Sequence, residues 1–170
     1  KRGADAIQAL KQGKIDAVII DNEPAKVFIE KNEGLQILDE EFAVEEYAIA
    51  LKKGNTELTT AINGALAELK ADGTLENIEK NWIGEEYSKY PYESPEGTEY
   101  PNGTLIMATN AEFPPYEFLE NQEVAGFDVD MMTAVCDKLG YELEIENIAF
   151  DSIIASVNSG RADVGVAGMS

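Results

Sequence analysis

The sequence predicts an α/β fold, and three features carry that prediction. Apolar runs of strand length alternate with longer stretches whose apolar residues recur at helical spacing. Glycines stand where helical stretches stop and apolar runs are about to begin, at Gly13 and Gly160. The run at 105–108 passes through a polar and aromatic loop into a capped helix, a βα unit with its loop at the carboxyl end of a strand.

In chain order, residues 4–12 (ADAIQALKQ) read as a helix with Gly13 at its C′ position. Residues 15–20 (IDAVII) read as a buried strand closed by Asp21-Asn22. Pro24, tolerated in a first turn but not in a helix interior, starts a helix over 25–31, and 35–38 forms a short strand. Residues 47–51, within EEYAIALKKGN, make another strand. Thr56 then caps a long helix with Leu58, Ile62, Leu66 and Leu69 on one stripe, broken at Asp72-Gly73-Thr74. A helix over 75–82 ends at Gly84. Residues 85–103 have no apolar period and hold three prolines, two glycines and five glutamates, the composition of an exposed linker.

The stretch 104–130, TLIMATNAEFPPYEFLENQEVAGFDVD, organises the rest. Thr109-Asn110 ends its apolar run and Pro114-Pro115 forbids a helix there, so Phe113, Tyr116 and Phe118 fall on a loop. Large aromatics on a loop need a reason, since a loop has no periodic face to bury them. An acidic turn around 120–123 leads to Gly126-Phe127-Asp128, with Asp128 as N-cap of a helix over 129–139 and Asp130 in its first turn, where the helix dipole favours a negative charge. In open α/β sheets, ligands bind at the carboxyl ends of strands. A strand over 142–148, a helix over 153–158 and a strand over 164–167 complete the chain, which finishes Gly168-Met169-Ser170.

The balance of 13 basic against 33 acidic residues gives a net charge of −20. That argues against nucleic acid and anionic membrane surfaces as partners. It does not argue for a metal, because scattered acids are usually a solvated surface. The absence of histidine excludes Ser-His, Cys-His and histidine–metal chemistry, and no cofactor is expected. One cysteine, Cys136, permits no intramolecular disulfide and falls on the apolar side of its helix, where it reads as a buried inert thiol. No apolar run approaches a membrane span and no signal peptide is visible, so an exported form is expected to have lost its address.

One internal repeat is visible. Helix, Gly13-Lys14-Ile15-Asp16, apolar strand matches helix, Gly160-Arg161-Ala162-Asp163, apolar strand. Such turns are common in any doubly wound protein, but two related lobes would also produce one copy each.

The segment ATNAEFPPYEF followed by GFDVD resembles the opening of the polar-amino-acid solute-binding proteins of bacterial ABC importers. That resemblance implies a periplasmic-binding-protein-like lobe, an open mixed sheet flanked by helices, with a partial second lobe. It implies a free amino acid held in the cleft between lobes, an ABC permease as membrane partner, and an extracellular or periplasmic location. Residues 1–84 resemble the end of such a protein, including the return hinge strand EEYAIALKKGN and the closing helices, and 103–170 resemble its beginning. The expected order is therefore a partial second lobe at 1–43, the hinge strand and closing helices of the first lobe at 44–84, a linker at 85–103, and the start of the first lobe at 104–170. A circular permutation, or a cut through tandem domains, would give this order.

Carried over position by position, the resemblance makes Asp21 the partner of the ligand's α-ammonium group; its alternative role is to cap the helix near Pro24. Phe113 and Phe150 match the aromatics of the side-chain pocket, the alternative being plain core contacts. Asn110 stands where the family often has an acidic or small polar residue, and an uncharged amide there disfavours a purely cationic specificity. Gly168 and Ser170 match first-lobe backbone and hydroxyl contacts, with Tyr116 and Glu117 at the rim. The family's carboxylate-clamping arginine lies in a segment beyond Ser170, and Arg161, at the opposite end of its strand, does not replace it. Weak capture by these 170 residues alone is therefore expected, with a second chain or a missing segment completing the lobe. The competing readings are a truncated or engineered scaffold that binds little, and a dehydratase on the same fold with Glu117 as its general acid.

Overall fold

The structure, a computed structural model, describes residues 2–40 and 42–170. Lys1 and Glu41, which fall within the expected partial second lobe, lie outside the described residues. Along the chain come helices α1 (Gly3–Lys11) and α2 (Asn22–Glu30), strand β1 (Ala50–Leu51), and helices α3 (Thr56–Ala71) and α4 (Thr74–Trp82). Strands β2 (Thr104–Thr109), β3 (Glu112–Phe113), β4 (Glu117–Glu120) and β5 (Glu123–Ala125) lead to helix α5 (Phe127–Leu139). Strand β6 (Glu142–Asn147), a 3₁₀ turn at Phe150–Ser152, helix α6 (Ile153–Ser159) and strand β7 (Val164–Gly165) complete it.

The main sheet has the order β1-β7-β2-β6. β2 runs parallel to both β6 and β7, while β1 pairs antiparallel with β7, Ala50 opposite Gly165. The expected mixed sheet, with the segment around 47–51 in it, is therefore present, although only Ala50–Leu51 forms ladder pairs and Ala48 adds one bond, its N–H donating to Met169 O at 2.8 Å.

Side-chain alternation along β2 divides the core between the two faces. Leu105 and Met107 pack with Ile62, Leu69, Met132 and Val135 of α3 and α5. Ile106 and Ala108 face Ile153 and Val157 of α6. Gly165 lets α6 come close, because a Cβ there would lie 2.7 Å from Ile153 Cγ2. Cys136 is buried in the first of these clusters, as its helical position implies.

Four local expectations are corrected. Residues 15–20 and 35–38 are not strands: Ile19 is 71% and Leu38 69% exposed, and a parallel strand cannot stand without a neighbour to take its backbone bonds. The long helix is capped by Asn55, not Thr56, with Asn55 Oδ1 accepting from Leu58 N–H at 3.3 Å. Asp128 is not an N-cap. Gly126 precedes α5, and Asp128, the second residue of the helix, has its N–H committed to Tyr116 O at 2.9 Å. Phe113 and Phe118 lie on strands rather than a loop, in a three-stranded antiparallel meander β3-β4-β5 whose last turn is Asn121-Gln122, both with positive φ.

Residues 85–103 contain no helix or strand, and most are exposed. They are nevertheless fastened to α5: the hydroxyls of Tyr92 and Tyr100 donate to Asp137 at 2.8 and 3.1 Å, and Asn102 Nδ2 donates to Leu139 O at 2.7 Å.

Candidate functional site

Asp21 follows the extended segment 15–20 and precedes α2, with its side chain making no capping bond. The Tyr47 hydroxyl lies near its carboxylate, and burial first and Asp21 second push the Tyr47 phenol well above its ordinary range. Tyr47 meets Tyr116 edge to face at 5.3 Å between ring centroids, and Tyr116 stacks with Phe113 at 6.1 Å. Gly168, at φ +55, lies beneath: a Cβ there would stand 3.1 Å from Phe113 Cε1 and 3.6 Å from Tyr47 Cζ. The left-handed backbone and the crowding ring both favour glycine.

The field in this cluster is acidic. The Tyr116 hydroxyl is pushed up to about 12, by burial first and then by the carboxylates of Glu23, Asp21, Asp128 and Glu79. Behind it Glu117 on β4 and Asp128 on α5 are buried against each other. Burial raises both above the usual carboxyl range, and the charge of Asp128 raises Glu117 further. Of the two, Glu117 is raised further, and the amino-terminal dipole of α5 favours a charge on Asp128. One Glu117 oxygen, Oε2, is buried with no partner among the described residues.

Asp21, Phe113 and Gly168 thus come together through Tyr47 and Tyr116. The other expected residues are placed differently. Asn110 spends its amide on a structural bond, Nδ2 donating to Ile148 O at 2.9 Å, while Asn147 Oδ1 accepts Ala111 N–H beside it. Phe150 opens the 3₁₀ turn half-exposed, and Ser170 is exposed. Glu117, expected at the rim, is buried. Arg161 is exposed and paired with Glu146 at 3.3 Å. Arg2 reaches across to Glu112 at 3.2 Å, next to Phe113.

Tyr47 was not among the expected site residues, since in the sequence it reads only as the first residue of a strand. The one available signal was a large aromatic after Glu45-Glu46, at a strand's open end. A cavity of about 340 Å³ lies elsewhere, at the amino end of α3 beside Lys52, Lys53 and Thr56. Among the described residues no group of three His, Cys, Asp or Glu side chains is placed to hold a metal ion. The arrangement is a carboxylate and aromatic faces beside bare backbone, which suits a cation rather than bond-breaking chemistry.

Comparison with known proteins places the chain in a family. The sequence pattern described as bacterial extracellular solute-binding proteins, family 3, matches residues 2–85 and 105–170. The L-cystine-binding protein TcyJ of Escherichia coli (strain K12) is 39% identical over 83 residues, 48% of this chain and 31% of that protein. The ABC transporter glutamine-binding protein GlnH of Bacillus subtilis (strain 168) is 39% identical over 83 residues, 49% of this chain and 30% of that protein. Among solved structures, an ancestral arginine-binding protein bound to arginine is 45% identical, with 40% of this chain and 30% of that one covered and a TM-score of 0.39. The chain spans about a third of the length of these curated relatives. With the family's pattern matched on both sides of residues 86–104, the chain belongs to the bacterial extracellular solute-binding proteins of family 3.

Proposed function

We propose that this chain is part of the binding protein of an ABC importer, taking a free amino acid outside the cytoplasmic membrane and presenting it to a permease. The observation that carries this reading is the cluster of Tyr47, Tyr116 and Phe113 packed ring to ring over the backbone of Gly168, with the Asp21 carboxylate near Tyr47. Asp21 takes the α-ammonium group. The aromatic faces lie along the ligand's side chain. The relatives TcyJ and GlnH are named for L-cystine and glutamine, both amino acids.

Residues 1–43 then belong to a second lobe, 44–84 and 104–170 to the first, and 85–103 join the two in an exchanged order. The gap in the family match at 86–104 supports that division. A partner chain or a further segment completes the second lobe and supplies the carboxylate clamp. A scaffold with little binding is the second reading, favoured by the spent amide of Asn110 and the exposed Phe150.

A thermal-shift screen against the twenty common amino acids and L-cystine tests the two. Stabilisation by one or a few of them, lost in Asp21→Ala, is expected; no ligand-dependent shift at millimolar concentrations would leave the scaffold reading.

A further inference from the structure

Asparagine followed by glycine occurs twice, at Asn63-Gly64 and Asn102-Gly103, and the two pairs sit in opposite kinds of backbone. Asn63 and Gly64 are exposed within α3, a helix of 16 residues anchored by the buried Ile62, Ala65 and Leu69. Inside a helix each N–H is bonded one turn back, which fixes the peptide planes and keeps a side chain from closing onto the next nitrogen. Asn102 and Gly103 are exposed in the irregular segment just before β2. They close a turn after Pro101, in which the Gly103 N–H donates to Tyr100 O at 3.2 Å, the long end of the range. Gly103 takes φ +83, and a Cβ there would meet nothing within 4 Å, so the space around this peptide is open.

The same dipeptide fastens the end of the segment. Asn102 Nδ2 donates to Leu139 O at 2.7 Å, and the Asn102 N–H to Gly140 O at 2.9 Å. The Glu142 N–H donates to Gly103 O at 2.8 Å. These bonds tie the segment to the carboxyl end of α5 and the start of β6. A neutral donor suits the place, because Leu139 O is the last carbonyl of α5 and carries the negative end of the helix dipole.

We propose that Asn102-Gly103 is a self-modifying site, whose conversion to aspartate and isoaspartate unfastens this end of the segment from α5. The Gly103 nitrogen attacks Asn102 Cγ. The N–Cγ bond forms, the Cγ–Nδ2 bond breaks, and the proton lost from Gly103 N–H leaves with Nδ2 as ammonia. Water then opens the cyclic imide at one of its two carbonyls, giving aspartate or isoaspartate. Glycine permits the attack because no side chain crowds its nitrogen. The turn must open first, which costs little where the backbone is exposed and held by single hydrogen bonds. Either product replaces the Nδ2 donor with a carboxylate beside Leu139 O, in a chain whose net charge is already −20. Isoaspartate also lengthens the backbone between the Asn102 N–H and Gly103 O, the two groups bonded to Gly140 and Glu142. The proposal is independent of what the Asp21 site binds.

The test is ageing of the 170-residue protein in warm, mildly alkaline buffer, followed by peptide mapping by mass spectrometry. The expected result is a one-dalton gain in the peptide holding 102–103, as two separable products of which one accepts a methyl group from an isoaspartyl methyltransferase, with 63–64 unchanged. A gain at Asn63 as fast as at Asn102, or a gain at Asn102 only when urea unfolds the protein, would overturn the site. Asn102→Gln, whose longer side chain closes the ring far more slowly, should show no gain at that position; an equal gain would overturn the chemistry. Hydrogen exchange of Asn102→Asp reads the consequence: the amides of residues 102 and 142 should exchange about tenfold faster than in the parent. Unchanged exchange at both would overturn the unfastening.

Discussion

Glu117 and Asp128 are buried together, the first residue of β4 beside the first turn of α5, and burial with the charge of Asp128 raises the Glu117 carboxyl above its ordinary range. The same junction is closed by backbone: Phe127 N–H donates to Pro115 O at 3.1 Å and Asp128 N–H to Tyr116 O at 2.9 Å. At Gly126, with φ +132, a Cβ would lie 2.2 Å from Tyr116 O, so only glycine allows the helix to start this close to the aromatic cluster.

The pair makes stability fall as pH rises. Glu117 ionises above its unfolded value of 4.5, so between that value and its folded one the native state binds a proton that the unfolded state has released. Stability is then fully present below about pH 4.5 as far as this group is concerned, and is lost at up to about 1.4 kcal/mol per pH unit above it. Glu117→Gln, which keeps a donor to Asp128 and does not titrate, should flatten the profile. Urea unfolding at pH 5, 7 and 9 checks this; identical profiles for the two proteins would contradict the raised Glu117 carboxyl.

Close packing of α6 on the sheet depends on the missing side chain of Gly165. Gly165→Ala puts a methyl group against Ile153 and should cost about 1–3 kcal/mol as overpacking. The unfolding midpoint measures it. An unchanged midpoint would mean that α6 can move away freely.

The irregular segment 85–103 contributes at its tyrosines rather than along its length. Tyr92→Phe removes the 2.8 Å bond to Asp137 from a half-buried position and should cost about 1 kcal/mol. The exposed Tyr100, with a 3.1 Å bond to the same carboxylate, should cost less than about 0.5 kcal/mol as phenylalanine. Equal losses in urea titrations would show that exposure does not decide the difference.

What could be read in the sequence follows from how local its causes are. The helix endings at Gly13 and Gly160 and the apolar runs of β2 and β7 are local, and the sheet they form has the expected composition. The segment 15–20 carries the same local pattern, yet a strand also needs a second strand, which a one-dimensional pattern cannot supply. Asn55 and Thr56 are adjacent residues of similar capping strength, so the choice between them turned on backbone geometry. Asp128 looked like a cap because a carboxylate before a helix usually is one; the helix instead starts right after Gly126, which leaves Asp128 inside its first turn. Of the site, Asp21, Phe113 and Gly168 were legible through resemblance. Tyr47 was not, because its partners lie in distant parts of the chain.

Asp21 is proposed to receive the ammonium group of an amino acid. Its most direct test is an NMR titration of the 170-residue chain with glutamine, arginine and L-cystine, in parallel with Asp21→Ala. Millimolar binding is expected, with shift changes at Asp21, Tyr47 and Gly168 that disappear in the variant while its stability stays within about 0.5 kcal/mol of the parent. Unaltered affinity in Asp21→Ala would contradict the assignment, and micromolar binding by the chain alone would contradict the expectation that its site is incomplete.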